Sequence, residues 1–376
     1  MNHVDTVLLK VASRCNLDCS YCYVYQGQDK TWRSQPKIIA DQTIDSICRE
    51  FALLAKQQEK GFAVVLHGGE PFLIGKNKLL KILSSLRKIL VDFNKYPIGI
   101  QTNGLLISHD ILEVCNTYRA GISVSIDGSK DTNDISRLTT KNESSYGSLI
   151  KGIQLLRNHK NSDFLFAGTL SVIQPKSDPI ETYNFIKSLG SPSIDFILQD
   201  GNYEHLPKGK ENQDSTEYGE WLVKLFEYYF YDPTPIKIRF FDDLIKTIIG
   251  GFAEKEGKGL NSFGIIIIET SGEIRKNDTL RAAIEGIDFF ENRPNINTEN
   301  SLLKVLSSSE FYETTVSQTP TSEKCLNCSI KNVCGGGMLL SRWSSSNAFN
   351  NPSIYCTDHF LYINNILDIL NAHMKK

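Results

Sequence analysis

The stretch "ASRCNLDCSYCYVY" (12–25) decides the fold, because it sets three cysteines in one loop directly after the strand-like segment "TVLLKVA" (6–12). Cys15, Cys19 and Cys22 have the spacing C-x3-C-x2-C. Three thiols are an odd number for disulfides and one too few for a closed zinc site, but three thiolates can hold an iron–sulfur cluster with one metal corner open. Functional loops of parallel α/β folds follow the carboxyl ends of strands. A chance group of free thiols is the alternative, and it would be prone to oxidation.

β-rich segments recur along the first half of the chain and are separated by helical patterns. In order they are "TVLLKVA" (6–12), "FAVVLHGG" (62–69), "IGIQTNG" (98–104), "GISVSIDG" (121–128), "FLFAGTLSVI" (164–173) and "IDFILQDG" (194–201). Near-continuous apolar strands that alternate with helices predict an α/β fold with a parallel sheet and crossover helices. Six such units are too few for an eight-unit barrel, so the sequence predicts an incomplete barrel or an open, curved sheet.

The chain is expected to form two domains. The stretch 200–219 is polar, contains Gly and Pro, and is predicted to be a loop. Further on, "GIIIIETSGEIRKND" (264–278) predicts a strand–turn–strand unit. We place the boundary between these features, which gives a first domain over 1–235 and a second over 236–376.

The composition is that of an ordinary soluble globular protein. Its 376 residues include 41 Lys and Arg against 43 Asp and Glu, a formal net charge of −2, which does not indicate binding to nucleic acid or a membrane surface. No apolar run approaches the length of a membrane span, and the first residues lack the features of a signal peptide. We therefore expect a cytoplasmic protein whose nine cysteines are thiols or metal ligands rather than disulfides.

The other cysteines fall into two isolated positions and one group. Cys48 and Cys115 lie in helical patterns and are expected to be small, buried core residues. The group, called here the second cysteine group, consists of Cys325, Cys328, Cys334 and Cys356. Its first three members have the spacing C-x2-C-x5-C. Four thiolates can hold a structural zinc ion or an iron–sulfur cluster, and the spacing alone leaves both open.

The first cysteine loop resembles the signature of the radical SAM superfamily. In "CNLDCSYCY" the pattern CxxxCxΦC is complete, with Tyr21 at the aromatic position Φ. "QTNG" (101–104) and "SIDG" (125–128) end two later strand-like segments as they do in that superfamily. The GGEP motif of the superfamily is matched by Gly68, Gly69, Glu70 and Pro71. The resemblance extends over essentially the whole chain and implies a partial (β/α)6 TIM-like barrel.

The same resemblance implies the cofactors and their chemistry. Cys15, Cys19 and Cys22 would ligate a [4Fe–4S] cluster whose open iron binds the amino and carboxylate groups of S-adenosylmethionine (SAM). One electron from the reduced cluster would cleave SAM to methionine and a 5′-deoxyadenosyl radical, which abstracts a hydrogen atom from an unactivated C–H bond. The residues expected to contact SAM are Tyr21, Gly68, Gly69, Glu70, Pro71, Asn103, Ser125 and Arg137.

Some of these residues can be given particular roles. Glu70 is expected to pair with the SAM ammonium group, because the preceding glycines let the backbone approach a ligand; a solvated loop carboxylate is the alternative. Ser125 is expected to reach the SAM carboxylate or ribose. Arg137 is a candidate for the carboxylate, with an ordinary surface arginine as the alternative. His67 is given no role, because a buried histidine is more often hydrogen-bonded within the core than a base.

The second cysteine group resembles auxiliary cluster II of SPASM domains, the C-terminal extension of radical SAM enzymes that modify peptides and proteins. This resemblance favours an iron–sulfur cluster over zinc. Asn277 and Met338 stand where the SPASM pattern has cysteines that would ligate auxiliary cluster I, so one auxiliary [4Fe–4S] cluster is expected. Asp278 resembles an acidic residue that some of these enzymes use as a base. It is the candidate catalytic proton acceptor, and a turn-capping aspartate is the alternative.

Three stretches also resemble the cyclophane-forming maturases of ribosomally made, post-translationally modified peptides (RiPPs), namely "YVYQGQDKTWRSQP" (23–36), "DFILQDGNYEHLPKG" (195–209) and "ETSGEIRKNDTLR" (269–281). This implies an oxidoreductase that joins an aromatic ring carbon of a precursor peptide to the Cβ atom of a residue two places on. The alternatives are sulfatase maturation to formylglycine, thioether formation, and a non-catalytic iron–sulfur electron carrier or zinc scaffold. Expected partners are the precursor peptide and a low-potential donor such as flavodoxin or ferredoxin. We expect no nucleic acid, no membrane and a monomer.

Overall fold

The computed structural model describes residues 3–374 and shows an α/β fold. Within that range no helix combines the length and the apolar character needed to cross a membrane. The chain divides into two compact units, each built from discontinuous segments. Unit 1 contains the chain up to Ile126, Asp134–Thr169 and Gly264–Thr314. Unit 2 contains Asp127–Asn133, Leu170–Phe263 and the chain from Thr315 on.

The strands lie close to the segments that the sequence predicts. They are β1 (Thr6–Ala12), β2 (Ala63–Gly68), β3 (Ile98–Thr102), β4 (Ala120–Ser125), β5 (Phe166–Val172), β6 (Ser193–Ile197), β7 (Lys237–Ile238), β8 (Ile265–Ile268) and β9 (Ile274–Arg275). The strands β1 to β6 correspond to the six predicted segments, and the prediction of an α/β fold dominated by parallel strands is confirmed.

The helices fill the intervals between these strands and most of the C-terminal part. They are α1 (Asp41–Gln57), α2 (Gly75–Ile89), α3 (His109–Thr117), α4 (Lys130–Asp134), α5 (Tyr146–Arg157), α6 (Ser162–Leu165), α7 (Pro179–Ser188), α8 (Glu217–Phe230), α9 (Arg239–Ile248), α10 (Ser301–Leu306), α11 (Ser309–Val316), α12 (Glu323–Leu326), α13 (Lys331–Cys334) and α14 (Cys356–Met374).

In unit 1, β1 lies between two parallel neighbours. It pairs with β2, where Lys10 is opposite His67, and with β8, where Thr6 is opposite Ile265. Strands β2, β3 and β4 continue the parallel arrangement, and β9 is antiparallel to β8. The β8–β9 turn confirms the predicted strand–turn–strand unit. The parallel pairing of β8 with β1 was not predicted, because strands so far apart in sequence leave no local signal of their pairing.

Side-chain burial explains why these segments form one layer of strands covered by helices. Strands β2 and β4 alternate buried and partly buried residues, so one face packs tightly. Helix α1 buries Ile44, Ile47, Phe51 and Leu54, which recur at the three- and four-residue spacing of one helix face. The opposite, partly buried face of the strands includes His67 and therefore remains accessible to polar chemistry.

Unit 2 has its own core, in which α8 and α14 pack together. The buried residues include Leu222 and Phe226 of α8 and Ile363 and Ile366 of α14. Apolar residues at this spacing hold the two helices side by side. The packing fixes the start of α14, where Cys356 is the first residue.

The predicted loop before α8 is fastened to α14 by a buried ion pair. Lys210 Nζ lies 2.7 Å from Asp358 Oδ2, and neither side chain is exposed to solvent. Asp358 Oδ1 accepts a hydrogen bond from the backbone N–H of Gly219 at 2.7 Å. Such a pair is costly to break, because removal of one partner leaves an uncompensated buried charge.

Two further expectations concern the domain division and the isolated cysteines. Both compact units draw on both predicted domains, so neither unit coincides with 1–235 or 236–376. That division stays a prediction. Cys115 is buried as expected, whereas Cys48 on α1 is only partly buried.

Candidate active site

The cysteine loop after β1 is hydrogen-bonded to the end of β2. The backbone N–H groups of Gly69 and Glu70 donate to the carbonyl oxygens of Ala12 and Arg14, both at 2.9 Å. A Cβ atom would lie 2.0 Å from Ala12 O if built on Gly68, and 2.2 Å from Arg14 O if built on Gly69. Only glycine permits such a close approach. The glycine pair therefore admits the backbone of the cysteine loop, a role that the sequence analysis did not foresee.

The side chains of Cys15, Cys19 and Cys22 are each partly buried. Within residues 3–374, no three His, Cys, Asp or Glu side chains are spaced as metal ligands, so the fit of a cluster is judged from the donor set. Burial raises the pKa of Cys15 to about 12 and that of Cys22 to about 11, and charge on the neighbouring thiols acts in the same direction. Three soft ligands that hinder one another's ionisation are suited to cationic iron, so the loop fits an iron–sulfur cluster.

Glu70 is fully buried and held in one orientation. Its Oε1 accepts hydrogen bonds from the backbone N–H of Phe72 at 3.0 Å and from Thr102 Oγ1 at 2.7 Å. Its Oε2 accepts one from the backbone N–H of Asn103 at 2.8 Å. Burial raises the pKa of Glu70 although these donors act to lower it. The alternative of a solvated loop carboxylate is wrong. The next residue, Pro71, begins a short 3-10 helix.

Asn103 connects this carboxylate to the cysteine loop. Its Nδ2 donates to Asn16 Oδ1 at 2.7 Å and lies 3.7 Å from Cys15 Sγ. The same residue donates its backbone N–H to Glu70. The structure thus brings together three residues that the sequence analysis named separately, at the ends of three adjacent strands.

Arg137 and Ser125, the other two candidates for contacts with SAM, already have protein partners. Arg137 is 6% exposed, and its Nη1 donates to Tyr21 Oη at 2.8 Å. The alternative of a surface arginine is therefore wrong. Ser125, at the end of β4, accepts a hydrogen bond from Gln101 Nε2 at 2.8 Å. A direct contact of any of these side chains with SAM stays a prediction.

Asp278 is a buried, charged residue close to the same loop. Its Oδ1 lies 2.7 Å from Lys10 Nζ and 3.1 Å from Arg281 Nε, and its Oδ2 accepts a hydrogen bond from Tyr23 Oη at 2.6 Å. Although burial alone would raise it, the charges of Arg281 and Lys10 hold the pKa of Asp278 well below its ordinary range. Helix capping is performed by the preceding residue, since Asn277 Oδ1 accepts from the N–H of Thr279 at 3.0 Å. The turn-capping alternative is wrong.

Asp278 belongs to a set of buried ion pairs that the sequence analysis missed. Arg281 Nη2 lies 2.6 Å from Glu269 Oε1 and 3.2 Å from Asp288 Oδ2. Further pairs with distances up to 4.0 Å link the group Lys10, Asp29, Glu269, Arg275, Asp278, Arg281 and Asp288. A lysine within the apolar strand "TVLLKVA" was the one available signal. A buried cation requires a carboxylate partner, but the sequence does not identify it.

His67 faces this set from β2. Its Nδ1 is buried and has no hydrogen-bond partner in the part of the chain that the structure describes. Burial, supported by the charge of Lys10, lowers its pKa to about 4. The ring is still engaged in a hydrogen bond with the backbone of Gly68, so the expectation of a hydrogen-bonded core histidine is not contradicted.

The two residues that replace cysteines have structural roles within their own units. Asn277 caps the 3-10 helix Asp278–Ala282 in unit 1. Met338, in unit 2, packs closely on Gly257, where an added Cβ atom would lie 2.8 Å from Met338 Sδ. Neither residue supplies a thiolate, and the number of auxiliary clusters stays a prediction.

The second cysteine group lies wholly in unit 2. Cys325 is on α12, Cys334 ends α13 and Cys356 begins α14, while Cys328 donates its backbone N–H to Cys325 O at 3.2 Å. Burial raises the pKa of Cys334 to about 12, and charge on the other three thiols acts in the same direction. As for the first loop, the fit is judged from the donor set, and four thiolates are the ligands of a structural zinc ion or an iron–sulfur cluster.

A family model described as "Radical SAM superfamily" matches residues 9–216, more than half of the chain. Among curated proteins, a cysteine-type anaerobic sulfatase-maturating enzyme of Clostridium perfringens is 22% identical over 360 residues, which cover 94% of either chain.

Two solved structures show the fold. Native anSMEcpe with bound AdoMet and the Cp18Cys peptide has a TM-score of 0.83 at 21% identity, and the match covers 99% of this chain and 100% of that one. Streptococcus suis SuiB bound to the precursor peptide SuiA has a TM-score of 0.59 at 14% identity and covers 90% of this chain and 73% of that one.

Proposed function

Because the chain belongs to the radical SAM superfamily, we propose that this enzyme, which acts on a peptide or protein, forms a three-residue cyclophane in a ribosomal precursor peptide. The new bond joins an aromatic ring carbon to a Cβ atom. The observation that carries the proposal is the pair Asn277 and Met338, which leaves the enzyme without the ligands of one auxiliary cluster.

Enzymes of this superfamily use a [4Fe–4S] cluster and SAM, which together supply a carbon radical that removes a hydrogen atom from the substrate. Cys15, Cys19 and Cys22 would hold that cluster. Glu70 would bind the SAM ammonium group, since its buried carboxylate is held in place by three donors. Asn103 would fix the distance between Glu70 and the cysteine loop.

SAM also needs partners for its carboxylate and ribose. Arg137 would supply a positive charge for the SAM carboxylate. Its charge reaches this site, because it acts to lower the pKa of Glu70. Ser125 would donate a hydrogen bond, and Tyr21 would hold Arg137 in position.

The proposed reaction requires that one electron and one proton leave the peptide after the C–C bond forms. Loss of the Cβ hydrogen atom gives a carbon radical, which adds to the ring. The adduct then loses an electron and a proton, and the ring becomes aromatic again. The second cysteine group would hold a [4Fe–4S] cluster that accepts the electron, and a flavodoxin or ferredoxin would supply the electron that starts the next turnover.

Asp278 is the proposed proton acceptor. Its pKa is lowered by Arg281 and Lys10, so it is a weak base in the resting enzyme. A ring adduct that has lost an electron is a strong acid, and a weak base is sufficient to take its proton. The Tyr23 hydroxyl, hydrogen-bonded to Asp278, keeps the carboxylate in a fixed orientation.

The experiment uses the reconstituted enzyme with SAM, dithionite and the peptide encoded by a short open reading frame beside its gene. We expect a product that has lost two hydrogen atoms, with a crosslink between an aromatic residue and the residue two places on in tandem mass spectra. Release of 5′-deoxyadenosine without such a crosslink would overturn the cyclophane proposal.

Formylglycine formation is the second candidate, because the similarity to a cysteine-type sulfatase-maturating enzyme spans 94% of this chain. A peptide carrying a sulfatase cysteine motif is the matched probe. Conversion of its thiol to an aldehyde, detected by hydrazide capture, would favour this function over cyclophane formation. Modification of the precursor peptide but not of the sulfatase peptide would exclude it.

A further inference from the structure

The sulfur of Cys334 is in contact with a histidine of the same unit. His359 lies three residues after Cys356 on α14, and its Nδ1 is 3.3 Å from Cys334 Sγ. The ring is 4% exposed. A metal-bound thiolate carries no proton and can only accept, so Nδ1 must be the donor when the site is loaded.

The imidazole is held in this position by its neighbours. It stacks on Tyr355 with ring centroids 6.2 Å apart and packs edge-on against Tyr362 at 5.7 Å. On the remaining side, a Cβ atom built on Gly337 would lie 2.6 Å from His359 Cε1. Only a glycine there leaves room for the ring to reach the sulfur. The contact is therefore a packed feature of the fold rather than a chance approach of two surface groups.

Other groups near Cys334 Sγ also stabilise negative charge on that sulfur. The backbone N–H of Gly336 also donates to Cys334 Sγ, and the φ of +82° that Gly336 adopts belongs to the left-handed region. Arg342, which is 1% exposed, interacts electrostatically with Cys325 and Cys334. Hydrogen bonds and positive charge stabilise the reduced, more negative form of an iron–sulfur cluster more than its oxidised form.

We propose that His359 sets the reduction potential of the auxiliary cluster, by donating a hydrogen bond from Nδ1 to the Cys334 thiolate and so raising that potential. The inference rests on the proposed function in one respect, namely that the second cysteine group holds an iron–sulfur cluster. His359 is a positioning residue, because it acts through a ligand and does not touch the substrate. Its effect is to make the cluster a better acceptor of the electron that the peptide releases.

The experiment isolates the auxiliary cluster in the full-length chain. In a background with Cys15→Ala, Cys19→Ala and Cys22→Ala, the remaining EPR signal belongs to the second cysteine group. The midpoint potential is measured by EPR-monitored redox titration with and without His359→Phe. We expect His359→Phe to shift the potential to a more negative value and His359→Gln, whose amide can still donate, to restore part of the shift.

A matched control lies on the same helix. His373 is exposed, and its Nδ1 contacts Ile369 O one turn away rather than any cysteine. His373→Phe should leave the potential unchanged. If His359→Phe holds as much iron as the background protein and its midpoint potential is unchanged, the inference is overturned.

Two further outcomes separate this inference from the proposed function. If the background protein binds zinc and no iron, the auxiliary cluster itself is absent and the proposed function loses its electron acceptor. If the background protein holds iron but its His359→Phe variant does not, the potential cannot be compared. The background protein is then labelled with ¹⁵N-histidine and studied by pulsed EPR. We expect the reduced cluster to show a coupling to a histidine nitrogen, and its absence overturns the inference.

Discussion

Tyr23 Oη donates a hydrogen bond of 2.6 Å to Asp278 Oδ2, although the two residues are 255 positions apart in the chain. Tyr23 directly follows the last cysteine of the first loop, and Asp278 follows the β8–β9 turn. The hydrogen bond therefore ties the loop that would hold the SAM-binding cluster to the carboxylate proposed as proton acceptor. Asp278 is buried and Tyr23 is partly buried, so the hydrogen bond forms in a setting of low local dielectric, where it is electrostatically stronger than in water.

Replacement of Cys15, Cys19 and Cys22 by alanine should abolish cleavage of SAM, because no ligands remain for the cluster that binds it. We expect no 5′-deoxyadenosine by liquid chromatography after incubation with SAM and dithionite. Iron content should fall by about half, if each site holds one [4Fe–4S] cluster. Cys48→Ala is the control, since that thiol lies on α1 and belongs to neither cysteine group. Cleavage by the triple variant would contradict the assignment of these ligands.

Substitution Glu70→Ala should destabilise the fold and abolish SAM binding. Three hydrogen-bond donors would lose their acceptor in a buried site, and each unsatisfied donor costs about 1–3 kcal/mol. We expect the free energy of unfolding in urea to fall by about 3 kcal/mol or more. Glu70→Gln keeps one acceptor oxygen, and it should recover part of the stability without restoring SAM binding. Equal SAM affinity in Glu70→Gln and the unchanged enzyme, measured by calorimetry, would rule out the ammonium contact.

Substitution Asp278→Asn should lower both stability and product formation while leaving 5′-deoxyadenosine release largely intact. Lys10 and Arg281 would lose the carboxylate charge that they share, and breaking a buried pair costs about 3–5 kcal/mol. The carboxylate has a lowered pKa, so its stabilisation is present at neutral pH and is lost only as the pH falls below the ordinary aspartate range.

The partner variant for Asp278→Asn is Tyr23→Phe. It removes one hydrogen bond and keeps the charge, so the loss should be about 1 kcal/mol. Full crosslinking activity in a folded Asp278→Asn protein would show that another group accepts the proton.

His67 should make the protein less stable as the pH falls from about 6.5 to about 4. Its pKa is lowered from 6.5 to about 4 in the folded chain, so over this range the unfolded chain takes up a proton that the folded chain does not. The stabilisation is complete above 6.5 and is lost as the pH falls. We expect up to about 3 kcal/mol of stability loss that is absent in His67→Gln. The free energy of unfolding of both proteins is measured in urea at neutral and mildly acidic pH. An equal loss of stability in the two proteins would contradict the assignment to His67.

The sequence predicted well what depends on local pattern. The strands β1 to β6 followed from apolar runs between helical patterns, and the three cysteines of the first loop indicated the radical SAM superfamily without any tertiary information. It could not predict which residues meet across long separations. The alternatives for Glu70 and Arg137 both assumed exposure, whereas the fold buries both. Nothing in the sequence indicated that Lys10 contacts Asp278, because that contact depends on the pairing of β8 with β1.

That pairing of β1 with β8 has a consequence for how the protein is made. The strand that leads into the first cysteine loop acquires its second neighbour only when a segment beyond residue 264 has been synthesised. Contacts of such long range form slowly and late. Until then, β1 presents an open edge, which is a site of aggregation. A fragment ending at residue 235 would keep that edge permanently, so the cysteine loop is best obtained from the full-length chain.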